Sequence, residues 1–163
     1  MNLRPPALIS ALQLSLRAAV SAGLAVPTAQ FFELEYPINA LIAAVIVTDL
    51  SPSMTRRTAL RRLAGTLLGA TVGALYTYVL PPGPVTIGVS ILTAMLLTCV
   101  VHLQTAAKLA GFVCGIVVLA HGAQPWSYAA YRMIETFIGI AMAVLVSMVP
   151  KLLKVEIPDD GAA

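Results

Sequence analysis

Charge is what this chain has least of. Asp, Glu, Lys and Arg make up 10% of its residues, against roughly 25% in an ordinary soluble domain, and beside a hydrophobic share of 59% this excludes a water-soluble fold. Cysteine is almost missing as well. Cys99 and Cys114, the only two, lie inside apolar segments with no second pair and no metal-type spacing, so they read as small buried hydrophobes. His102 and His121 flank one segment on opposite sides, too far apart to share a metal. No metal and no cofactor is expected. The formal charge of +3 comes from a few basic residues set beside the hydrophobic segments, where membrane orientation requires them, and nucleic acid is excluded as a partner. Neither a metalloprotease helix, a nucleophile elbow, a phosphate loop nor a cysteine pair occurs, so the chain is not expected to be an enzyme.

Long apolar runs are what remains. The first spans about Ala7 to Thr28; Arg17 in its middle and Pro27 near its end argue for a retained helix rather than a secretory signal. Pro37 suits the first turn of a short second segment, Ile38 to Leu50, which Ser51-Pro52-Ser53 stops. Arg56, Arg57, Arg61 and Arg62 form a basic connection into a third helix reaching about Leu80, and Pro81-Pro82-Gly83-Pro84 is a turn. A fourth helix covers about Val85 to Val101, and a short fifth covers Leu109 to Ala120. The sixth runs from near Trp126 to Val149, ahead of Pro150. The expected fold is an all-α integral membrane protein: a six-helix transmembrane domain over residues 1–154 and a short polar cytoplasmic tail over 155–163. With a cytoplasmic N-terminus the inner side receives Arg4, the four arginines, Lys108, Lys151 and Lys154, and the outer connections hold no Lys or Arg. Both termini are therefore expected in the cytoplasm of a bacterial-type inner membrane.

An internal duplication is written into the helices. At an offset of 70 residues Arg62, Thr66 and Gly69 meet Arg132, Thr136 and Gly139, Gly73 meets Ala143, and the two short segments correspond. Each half holds an odd number of spans, so the copies, about 7–80 and 85–150, are expected to be inverted in the membrane, with a binding site near the midplane.

A few residues stand out against this apolar background. Gly65, Gly69, Gly73 and Gly139 are expected at close helix packing. Arg17, a cation within a span, needs a partner such as Asp49 or Glu135, a path to snorkel along the helix, or a water-filled cavity where its guanidinium grips a carboxylate. Arg132 and Glu135 share a face three residues apart, which favours a local ion pair; Glu135 is also the candidate proton carrier. Arg17, Arg132, Thr66 and Thr136 form the expected substrate-binding set. The arginine cluster is expected to meet anionic membrane lipid.

Arg62-x-x-Gly65-Thr66-x-x-Gly69 after the Pro-Ile-Asn-Ala-Leu-Ile-Ala-Ala-Val-Ile-Val span, Arg132-x-x-Glu135-Thr136-x-x-Gly139 in the last helix and Leu16-Arg17-Ala18-Ala19 in the first resemble the fusaric acid resistance and aromatic acid exporter family. The likeness covers about Leu14 to Val149. It implies movement of organic anions, aromatic carboxylic acids above all; plant aluminium-activated malate channels are similar in their membrane part. This chain has one six-helix unit where the longer exporters have two and a large cytoplasmic domain, which implies a homodimer. Export of a small organic anion is the expected function, with a passive anion channel and a non-transporting membrane scaffold as the competing readings.

Overall fold

A computed structural model describes residues 5–81, 83–120 and 124–149. Arg4, His121, Pro150, Lys151, Lys154 and the polar tail expected over 155–163 lie outside the described residues. Among the described residues the regular structure is helical: α1 (Pro5–Phe31), α2 (Pro37–Val47), α3 (Pro52–Val79), α4 (Pro84–Val100), a single 3₁₀ turn (Gln104–Ala106), α5 (Ala107–Ala120) and α6 (Pro125–Met148).

Proline writes most of the boundaries. Pro37, Pro52, Pro84 and Pro125 each open a helix in the first turn, where the N–H that proline lacks has no intrahelical acceptor to lose. This corrects one boundary. Pro52 starts α3 rather than ending a connection, so Arg56, Arg57, Arg61 and Arg62 are helical, and Lys108 likewise belongs to α5. Pro27 lies inside α1 without ending it. The two cysteines also part company, for Cys114 is buried but Cys99 is exposed.

The helices pack in a reciprocal pattern. α2 lies along α6 as α5 lies along α3; α1 touches α2 and α6 as α4 touches α5 and α3; and α3 meets α6. Close backbone approaches repeat it: a Cβ built on Gly69 would strike the Ala110 carbonyl, and one on Gly139 would strike the Ala40 carbonyl. Both pairs are separated by the same 70 residues. The α1–α2 and α4–α5 turns are built alike as well. Glu33 (φ 52°) and His102 (φ 59°) adopt left-handed backbone, and Leu34 N–H and Leu103 N–H reach back to Ala29 and Thr98 carbonyls at 3.1 and 2.9 Å, the helix-ending motif that usually recruits glycine.

Small side chains fill the interior. Ala25, Ala29, Ala40, Ala43, Ala44, Ala74, Ala94, Ala110 and Ala143 are fully buried, while Leu24, Leu60, Leu67, Leu92, Leu96, Leu119, Phe112, Phe137 and Leu145 face outward. Two helices, Leu8–Phe31 and Pro125–Met148, are long and apolar enough to cross a membrane; three more are apolar but shorter.

Candidate functional site

α3 and α6 cross antiparallel, and two clusters bracket the crossing. Ala59 and Leu63 of α3 pack with Ile140, Ala143 and Val144 of α6 on one side. Ala70 and Ala74 pack with Tyr128 and Ala129 on the other. The stretches 62–66 and 132–136 therefore face each other between the clusters. Each presents an arginine and, one turn on, a threonine on the same side of its helix. Arg62 and Arg132 are each 3% exposed, and Thr66 and Thr136 are buried with them. Arg62 lies within electrostatic reach of Arg132. Two guanidiniums withdrawn from water toward one another are costly unless an anion or a set of acceptors answers them.

Arg132 is partly answered. One Nη1 donates to the Asn39 side-chain oxygen and to Tyr128 Oη, the latter at 3.0 Å. Asn39 in turn donates through Nδ2 to Glu135 Oε2 at 2.6 Å, and Tyr36 N–H donates to Glu135 Oε1 at 2.6 Å. Glu135 is fully buried, the only buried carboxylate among the described residues. It faces the amino end of α2, whose unpaired N–H groups and dipole favour a negative charge there. The link between Arg132 and Glu135 thus runs through Asn39, in place of the direct ion pair that their spacing suggested. Phe112 adds a ring 5.9 Å from the Arg132 guanidinium carbon, and Tyr36 and Tyr128 stack edge to face at 5.1 Å.

The remaining donors are unused. Arg132 Nε and Nη2, Arg62 Nε, Thr66 Oγ1 and Thr136 Oγ1 are buried without a hydrogen-bond partner among the described residues. They lie along the facing stretches 62–66 and 132–136, with the Phe112 and Tyr128 rings beside Arg132.

Arg17 is not brought to this crossing. Its Nη1 donates to the Leu50 and Asp49 backbone carbonyls at 2.8 and 3.4 Å, and Nη2 to the Val149 carbonyl at 3.4 Å. It lies at the carboxyl ends of α2 and α6, where orphan carbonyls attract a cation. Val149 is 17 residues beyond Arg132, or about 25 Å along the helix. Arg17 is central in α1, yet α1 outreaches its partners, so the middle of the segment is the edge of the bundle.

A separate cavity of about 310 Å³ opens beside the crossing, lined by Ile46, Thr58, Arg61, Arg62, Thr105, Ala106, Lys108 and Leu109. Sequence reasoning placed Arg62 in a topological anchor and overlooked Asn39, Tyr36 and Tyr128. The alignment of Arg62 with Arg132 at an offset of 70 was read as a sign of duplication and not carried to the site, and Asn39 is the one amide in an otherwise apolar segment.

Neither a curated protein nor a solved structure matches the chain. Residues 23–146, a stretch holding the whole crossing, its glycines and the Glu135 relay, match the model of the fusaric acid resistance protein-like family. The chain belongs to that family, whose members are membrane-associated transport and resistance proteins.

Proposed function

We propose that this protein is an integral-membrane transporter that exports small organic anions, aromatic carboxylates above all, through six helices arranged as two inverted repeats. The observation that carries the reading is the pair of arginines, Arg62 and Arg132, buried at one helix crossing with unused donors. A carboxylate entering there takes two hydrogen bonds from a guanidinium fork and further ones from Thr66 and Thr136. Phe112, Tyr36 and Tyr128 offer ring faces and edges against which an aromatic body packs.

Glu135 couples a proton to this site. Protonation would remove the charge that holds the Asn39 amide and the Tyr36 N–H, and through Asn39 it would change the hold on Arg132. The membrane setting draws support from the distribution of side chains, alanine and glycine inside and leucine and phenylalanine outside, which suits helices that associate without water to drive them. The reciprocal packing and the matching turns support the inverted repeat. The arginine-rich start of α3 then faces the cytoplasm with both termini, and a homodimer in the inner membrane, in contact with anionic lipid, is the proposed working unit.

Flux of benzoate from proteoliposomes tests the reading. Arg62→Gln and Arg132→Gln should each lower the rate at least about tenfold, the loss of one charge-assisted pair, and Glu135→Gln should abolish the dependence on an imposed pH gradient. Flux that ignores the gradient in the parent protein and carries single-channel currents would assign a passive channel. No flux at all, from protein of unchanged thermal stability, would leave a scaffold.

A further inference from the structure

The two halves of the molecule are not equal at their arginines. In the second half, Arg132 has a carboxylate supplied by its own helix: Glu135, three residues on, held by Asn39 and by the amino end of α2. In the first half the position three residues after Arg62 is Gly65, and the position 70 residues after Asn39 is Leu109. The carboxylate and its amide holder are both replaced by residues without a polar side chain. Where Glu135 lies against Tyr36 and Asn39, Gly65 lies against Ala106 and Leu109, with the nearest approach of a built Cβ at 3.1 Å. Arg62 is as deeply buried as Arg132, and its Nε, like Nε and Nη2 of Arg132, has no hydrogen-bond partner among the described residues; what Arg62 lacks is a carboxylate on its own helix.

Arg62, Ala106 and Leu109 are also walls of the 310 Å³ cavity, which Arg61, Lys108, Thr58, Thr105 and Ile46 complete. Leu109 and the Ala106 carbonyl fill the place of the Glu135 side chain itself, but a cavity opens beside them, and three cations and two hydroxyl residues border it. Its volume falls at the lower end of ligand-binding cavities, which suits one ring or a short chain.

We infer that this cavity binds the carboxylate group of a small organic acid at Arg62, doing for that arginine what Glu135 does for Arg132 in the other half. One half of the repeat thus brings its own anion and the other takes one from outside. The inference deepens the transport reading and rests on it for the direction of movement, but binding itself stands apart from flux. The two arginines then divide the work. Arg62 sets affinity, Lys108 adds attraction at the mouth, and Arg132, tied to Glu135 through Asn39, contributes to movement rather than to the resting affinity. A carboxylate is favoured over a lipid phosphate because the matching space in the second half is built around a carboxylate.

Calorimetric titration of benzoate into the purified full-length protein, held in nanodiscs of phosphatidylcholine, tests this. Arg62→Gln should weaken binding at least about tenfold, Lys108→Gln by about threefold, and Arg132→Gln by less than about twofold even where flux is lost. Leu109→Glu brings a carboxylate to the cavity wall without disturbing the close approach of Gly65 to the Ala106 carbonyl; it should fold with unchanged helicity and bind no benzoate. Benzoate affinity should be the same when phosphatidylglycerol is added to the nanodisc. Binding that survives Arg62→Gln and disappears with Arg132→Gln would overturn the assignment, and competition by phosphatidylglycerol would give the cavity to lipid headgroups instead. Benzoate binding without flux would retain the cavity and defeat the transport reading alone.

Discussion

Glycine sets the tightest tolerances at the scale of single residues. A Cβ on Gly139 would fall 2.7 Å from Ala43 Cβ and 2.9 Å from Ala44 N as well as on the Ala40 carbonyl, and one on Gly69 would meet Ala110 Cα at 2.9 Å. These neighbours are backbone atoms and a Cβ fixed to the backbone, none of which can swing aside. Gly139→Ala and Gly69→Ala are expected to destabilise the protein by about 1–3 kcal/mol each. Gly23 and Gly88 have nothing within 4 Å of the built Cβ, so Gly23→Ala and Gly88→Ala should cost nothing measurable. Thermal unfolding in one detergent compares the four variants, and equal melting points across them would refute the packing argument. The glycines were visible in the sequence as a four-residue stripe on α3, but their partners were not, because the neighbours are carbonyls and alanines that carry no mark of their own.

Among the helices, α1 is held by a polar clamp at one end. Arg17 joins it to the carboxyl ends of α2 and α6 through three backbone carbonyls, and Ser21 Oγ bonds Thr48 Oγ1 at 2.9 Å one turn further on. Arg17→Gln should loosen α1 by about 1.5–3 kcal/mol, the range for a hydrogen bond to a charged group. The readout is faster proteolysis of α1 and a lower melting point, with benzoate affinity per folded molecule unchanged; a loss of affinity without a loss of stability would return Arg17 to the anion site. Helix positions were legible from apolar length and from proline, and α2, α4 and α6 start within a few residues of where the sequence put them. The depth of Arg17 was not legible, since a segment's own middle says nothing about how far its neighbours extend. Arg62 was hidden for a related reason: three exposed or half-exposed arginines nearby made it look like part of a solvated face.

At the scale of the whole molecule, the reciprocal packing of α2 on α6 and α5 on α3 makes a prediction about sidedness. α3 and α6 run antiparallel, so Arg57 near the start of one and Ser127 near the start of the other lie at opposite ends of the bundle; both are exposed. In right-side-out vesicles, Arg57→Cys and Ser127→Cys should react with an impermeant maleimide from opposite faces, and labelling of both from one face would rule out the inverted arrangement. The matching ends of the α1–α2 and α4–α5 turns, which no residue type announced, add support to the proposed duplication beyond the arginine and threonine positions that first suggested it. An interior of alanine and an exterior of leucine also invert the usual map of mutational sensitivity. Bulky side chains on the rim are expected to be interchangeable so long as they stay oily, whereas adding one or two carbons to an inward alanine drives neighbouring helices apart.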